Sequence, residues 1–228
     1  MPTIYSAATD QAIRSAISAT WSSVRGASTG TLLGASNTYE QHGASVLRFA
    51  GRGADQYRAY RSFFHFDTSG ITATVSAATF KLYTESVEGD SNVIVLASDA
   101  FTDGSDLHHS DFNNLDFSTP YSGEVDNSGT GLISITLNAA ALAFMKNNND
   151  FKIAVVNYDY DYGNTAPTSG NNHLTKMRFA DYSGTSSDPQ IDYTLATGYG
   201  NDVNGVTAAR IVKVDGVATA NIEKVIGV

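Results

Sequence analysis

The chain has 228 residues, 42% of them hydrophobic, with 20 glycines and no cysteine, and it carries 14 Lys and Arg against 23 Asp and Glu, a net charge of -9. This much apolar sequence supports a buried core and excludes a disordered chain, while the missing cysteines exclude disulfides, thiolate metal sites and thiol nucleophiles. The acidic balance excludes non-specific nucleic-acid binding, which needs a basic footprint.

The first residues, Met1-Pro2-Thr3-Ile4-Tyr5, lead to Asp10 without an apolar run, so no signal peptide is expected. Residues 10–19 place Ile13 and Ile17 at helical spacing but include Ser15 and Ser18 and lie between Thr9 and Thr20, which favours strand or irregular structure. Gly26-Ala27-Ser28-Thr29-Gly30 has the form of a serine-hydrolase elbow. That motif needs a strand before the serine and a helix after it. No helix pattern follows, and Gly-Ala-Ser recurs at 34–36 and 43–45, so a loop is expected. Arg48, Arg52, Arg58 and Arg61 then form a basic group. It would suit carboxylated glycans or an acidic partner, or equally internal pairing within an acidic domain.

Period-two alternation dominates from here on. Over 60–66 it puts Tyr60, Phe64 and Phe66 on one face and Arg61 and His65 on the other, the pattern of a half-buried strand. Further strands are predicted over 78–83, 93–96, 132–137, 151–156, 175–179 and 190–195. Asp99, Asp103, Asp106, His108, His109 and Asp111 crowd one stretch. Adjacent histidines on an extended chain point apart, so a polar loop is expected there rather than a metal site. The longest uncharged run, Asn127 to Met145, is interrupted by Gly129, Gly131 and Asn138 and reads as a strand and a helix, not a membrane span. The helix is predicted over 139–146, with Asn138 as N-cap and Asn147-Asn148-Asn149 ending it. Many short strands with one helix predict an all-β fold, an antiparallel jelly-roll β-sandwich over 1–195.

Tyr158-Asp159-Tyr160-Asp161-Tyr162 is the most conspicuous local constellation. Read as a strand, it lines three tyrosines along one face as a platform for sugar rings and sets Asp159 and Asp161 on the other, where calcium is the hard cation their oxygens suit. Gly163 and the lack of a closing Glu exclude an EF-hand. The reading preferred on the residues alone is a strand end with solvated carboxylates and Tyr rings packed against a neighbouring loop. A glycoside hydrolase would need two carboxylates facing across a cleft, and nothing in the sequence pairs them, so no catalytic residue is expected.

Residues 196–228 differ in kind. Their three acids balance three bases, so the whole net charge belongs to 1–195. Val203-Asn204-Gly205-Val206, Val214-Asp215-Gly216-Val217 and Val225-Ile226-Gly227-Val228 repeat every 11 residues, as do Ile211 and Ile222. Too short for a core of its own, such a repeat needs a neighbour. The tail is read as a docking or oligomerisation segment carried by Val203, Val206, Ile211, Val214, Val217, Ile222, Val225 and Val228, against the alternative of a small β appendage folded on its own domain.

The run from Phe63 to Ile71, followed by Val75 to Tyr83, resembles the "FDTS-I … I-SA-L-LY" core of DNRLRE-type jelly-roll domains, which include carbohydrate-binding modules and domains of phage virion proteins. Ile135-Thr136-Leu137 with the following helix, Met177 to Tyr182, and Asp188 to Tyr193 are similar to later segments of the family. The string that names the family is absent, so its ligand-contacting residues do not carry over. The tail resembles C-terminal tails of bacteriophage structural proteins. Together these resemblances imply a non-enzymatic virion protein, either a capsid decoration or a tail or fibre component. It would be made in a host cytoplasm, and its partners would be other virion proteins and further copies of itself. The alternative they imply is a carbohydrate-binding module or adhesin for host surface polysaccharide.

Overall fold

The computed structural model describes residues 1–33, 43–49, 54–102, 106–168, 172–180 and 184–196, with the backbone of 213–214 and 217–218. In chain order the elements are β1 (Thr3–Tyr5), β2 (Gln11–Arg14), α1 (Trp21–Arg25), β3 (Thr31–Leu32), β4 (Ser45–Phe49), β5 (Gln56–Asp67), β6 (Val75–Glu88) and β7 (Val93–Ser98). They continue with β8 (Leu115–Pro120), β9 (Gly131–Thr136), α2 (Ala139–Asn147), β10 (Asp150–Asn157), β11 (Asn172–Met177) and β12 (Gln190–Leu195), then β13 (Lys213–Val214) and β14 (Val217–Ala218).

The two longest strands organise everything else. β5 carries β2 along one edge, with β3 outside it, and β10 along the other, followed by β7 and β8. β6 carries β12 along one edge, with β1 outside it, and β9 along the other. Thr84 of β6 pairs with both Gly131 of β9 and Met177 of β11, so β11 continues on the β12 side. β11 also pairs with β4, and β4 with β5. Twelve antiparallel strands thus form one hydrogen-bonded network. It folds over at β11 into two layers. The all-β expectation holds.

Between the layers, Phe64 and Phe66 of β5, Ile153 and Val155 of β10 and Val95 of β7 meet Ala78, Phe80 and Leu82 of β6, Ile135 of β9 and Ile191 of β12. Phe80 packs tilted against Phe64, with ring centroids 5.4 Å apart, and edge-on to Phe66 at 5.9 Å. These are the geometries that aromatic quadrupoles favour. At the end of β5, the Asp67 carboxylate accepts from the Ser69 amide (2.9 Å) and the Thr68 hydroxyl donates to the Asn148 carbonyl (2.6 Å), closing the turn into β6. The Asn138 side chain accepts from the Ala140 and Ala141 amides, and α2 then packs Ala141 and Met145 into the core.

The reverse face of β5 departs from the reading as a half-buried strand. Arg61 does not face water; it is fully buried, as is Phe63. α1 and a 3-10 turn over His109–Asn113 lie across this face, where Ile13, Trp21, Val24, Phe63 and Phe112 form a second core. Alternation reports the chemistry of a face, and a loop layer can bury a polar face if its charge is paired. Gly30 marks how closely that layer sits: a Cβ there would lie 2.4 Å from Ile13 Cγ2 and 2.6 Å from the Arg14 carbonyl.

Where β11 crosses between the layers, a buried polar seam replaces apolar contact. The Asn127 amide donates to Thr175 Oγ1 (2.9 Å), its carbonyl oxygen accepts from the Thr84 hydroxyl (3.1 Å), and Thr175 Oγ1 donates to the Ser91 carbonyl (3.0 Å). Full satisfaction of such a network fixes the corner's geometry.

Phe66→Ala removes a fully buried ring that touches both layers. It is expected to lower unfolding free energy by about 3–5 kcal/mol, read as a lower urea midpoint at unchanged slope.

Candidate functional site

β10 ends at Asn157, whose side chain does two things. Its Oδ1 accepts from the Tyr160 amide (2.9 Å), and its Nδ2 donates to the Asp90 carbonyl (2.8 Å). The chain then makes a single π-helical turn over Tyr158–Tyr162 rather than continuing as a strand. The Gly163 amide closes the turn on the Tyr158 carbonyl at 2.9 Å, and a Cβ at Gly163 would lie 2.5 Å from the Asp159 carbonyl.

This turn replaces the predicted alternation and sorts the five side chains differently. Tyr158 and Tyr162, one turn apart, stack with centroids 5.5 Å apart and planes 21° from parallel. Both are half-buried and rest on Ile94, Leu96 and Val156, the same small cluster that Phe117 packs against. Tyr160 leaves this group. Its ring lies 4.3 Å from that of His173 and its hydroxyl donates to Asp90 Oδ2 at 2.5 Å. Burial first, and then that hydrogen bond, push the Tyr160 phenol above its ordinary range. The three tyrosines therefore do not share one face: Tyr158 and Tyr162 stack, and Tyr160 turns to His173 and Asp90.

The two carboxylates are separated as well. Asp161 is fully buried and takes both Arg61 Nε (2.7 Å) and Nη2 (2.9 Å) in a bidentate pair. Asp159 lines a recess of about 390 Å³ beside the β6–β7 turn, with Glu88, Asp90, Asn92 and Ser128. Burial raises its pKa above the ordinary value of 3.8, and Asp90 and Glu124 add to that shift. With Asp161 committed to a guanidinium, the pair does not converge on calcium, and among the described residues no group of three His, Asp or Glu is placed to hold a metal. In the other dense stretch, the buried Asp111 carboxylate accepts from the amides of His108 (2.9 Å) and Phe101 (3.2 Å) and from the Asn114 side chain (2.7 Å). It organises the loop. Asp103 lies outside the described residues.

The basic group also divides. Arg48 pairs with Asp55 at 2.7 Å, Arg61 is internal, Arg58 Nε has no hydrogen-bond partner among the described residues, and Arg52 lies outside them. Arg25 was not foreseen from the sequence. Its guanidinium sits 3.9 Å from the centre of the Phe117 ring and donates to the Asp161 carbonyl at 2.6 Å, which places a partly exposed cation beside the tyrosine pair. Nothing near Arg25 in sequence announces this, because its contacts come from segments about 90 and 136 residues away. Ser28 follows α1 in a loop that leads to β3, the reverse of a nucleophile elbow.

Of the tail residues, Val214 and Val217 are register partners in the β13–β14 hairpin, with Lys213 opposite Ala218. Val203, Val206, Ile211, Ile222, Val225 and Val228 lie outside the described residues. No helix among the described residues is long and apolar enough to cross a membrane. No protein-family model matches the chain, and no curated protein matches it.

The raised Asp159 pKa has a defined sign. Between the ordinary and the folded value the native state holds the extra proton, so stability falls as pH rises through that window. Asp159→Asn is expected to raise the melting temperature at neutral pH, the gain shrinking to nothing once pH falls below the ordinary carboxylate range near ~4.

Proposed function

We propose that this chain is a structural protein of a bacteriophage particle. A jelly-roll-type sandwich is displayed by the body, and the repeat in residues 196–228 attaches it to the assembly. One observation carries this reading. The second copy of the repeat forms its own two-stranded sheet, β13–β14, whose strands bracket Asp215-Gly216, the dipeptide that two-residue hairpins favour. A two-stranded sheet of this size is marginal in water by itself, so it gains its stability against something larger. The charge partition supports the same division of labour, because an acidic body stays soluble and the neutral tail meets a partner without repulsion. The resemblances noted in the sequence supply the kind of particle. A chain ending at Leu195 is expected to fold with the body's circular dichroism but to lose its binding to particles; retained binding would remove the attachment role.

A second reading, that the body also grips host surface polysaccharide, is favoured by the stacked Tyr158–Tyr162 pair. Stacked, half-buried rings fixed by a closed turn offer apolar faces to a sugar at little entropic cost, and Arg25 beside Phe117 adds a positive edge. On this reading, Tyr158→Ala and Tyr162→Ala abolish retention on host polysaccharide in affinity electrophoresis, whereas Tyr160→Phe leaves it intact. Equal retention of all three variants would exclude this face.

A further inference from the structure

An open strand edge is a row of unmet N–H and C=O groups, and natural sheets guard such edges with short strands, prolines, charges or bulges. Among the described residues, four strands lie at the edges of the two layers, and three are guarded. β1 has three residues and follows Pro2; β3 has two residues. β8 carries Asp116, ends in Pro120 and shifts register against β7 between Leu96 and Ala97.

β9 has none of these devices. It is six residues long, Gly131-Leu132-Ile133-Ser134-Ile135-Thr136, with no charge and no proline. Its register with β6 runs unbroken from Gly131↔Thr84 to Thr136↔Thr79. Among the described residues, its outer edge pairs with no strand. Leu132 is 49% exposed, and the strand lies inside the longest uncharged run of the chain.

The occupant follows from charge and symmetry. A body that holds the whole net charge of -9 repels its own copies, and a neutral edge is where two of them meet with least repulsion and no ion to desolvate. Antiparallel pairing of one strand with itself about a two-fold axis is self-complementary by construction. Ile133, Ser134, Ile135 and Thr136 are residues that cross-strand pairs favour. We propose that β9 pairs antiparallel with β9 of a second copy of this chain, continuing the β6 layer across a dimer. This contact is separate from the repeat in the tail.

Sedimentation equilibrium of the full-length protein tests it, with Ser134→Lys and Thr136→Lys placing a charge on exposed edge positions and Val214→Asp probing the tail. The wild type is expected to form dimers or multiples of dimers. Each lysine variant should weaken dimerisation by about tenfold or more while keeping the wild-type circular dichroism spectrum. The amides of 131–136 should also exchange hydrogen more slowly as wild-type concentration rises. A monomeric wild type overturns the proposal. So does an oligomer that Val214→Asp dissociates and the lysine variants leave intact, an outcome that keeps the tail's assembly role. Dissociation by the lysine variants alone supports the β9 contact irrespective of the tail.

Discussion

The outer half of this molecule depends on one ion pair. Arg61 and Asp161 are both withdrawn from water, and each charge costs several kcal/mol to bury. The cost is offset because every part of the guanidinium is used. Nε and Nη2 meet the carboxylate, Nη1 donates to the Phe112 carbonyl (2.9 Å), Nη2 also donates to the Arg25 carbonyl (2.7 Å), and the Phe112 ring lies 4.2 Å from Cζ. Those partners belong to the π-turn, the 3-10 turn and the end of α1, so a single side chain on β5 ties three loop segments to the sheet. The stacked tyrosines follow from this. With Asp161 drawn inward, the turn presents residues 158 and 162 on its outer side.

The sequence announced the inner half well and the outer half poorly. Phe66, Phe80 and Ile191 alternate with polar neighbours because the space between two sheets selects for burial every second residue, and that pattern survives in one dimension. α2 was legible from a cap and a stop that lie within a dozen residues. The π-turn was not. Its alternating Tyr and Asp mimic a strand, and what curls it is a pair of contacts from afar, Arg61 to Asp161 across 100 residues and Asp90 to Asn157 across 67. Short strands such as β1 and β3 were silent for the same reason, since two or three residues become a strand only when a longer one is beside them.

Asp159 of the acidic recess shares the π-turn with the stacked Tyr158 and Tyr162, so one turn positions both features, while the bare β9 edge lies in the β6 layer.

The position of β11 carries a mechanical meaning. A sandwich whose sheets meet only through side chains can be peeled apart along its dry interior. Here one strand is hydrogen-bonded to β6 in one layer and to β4 in the other, with the Asn127–Thr175 seam locked behind it. Force that separates the layers must first shear that strand's backbone bonds, so β11 works as a clasp. A pull across the two layers would be resisted at this corner before the hydrophobic interior bore any load.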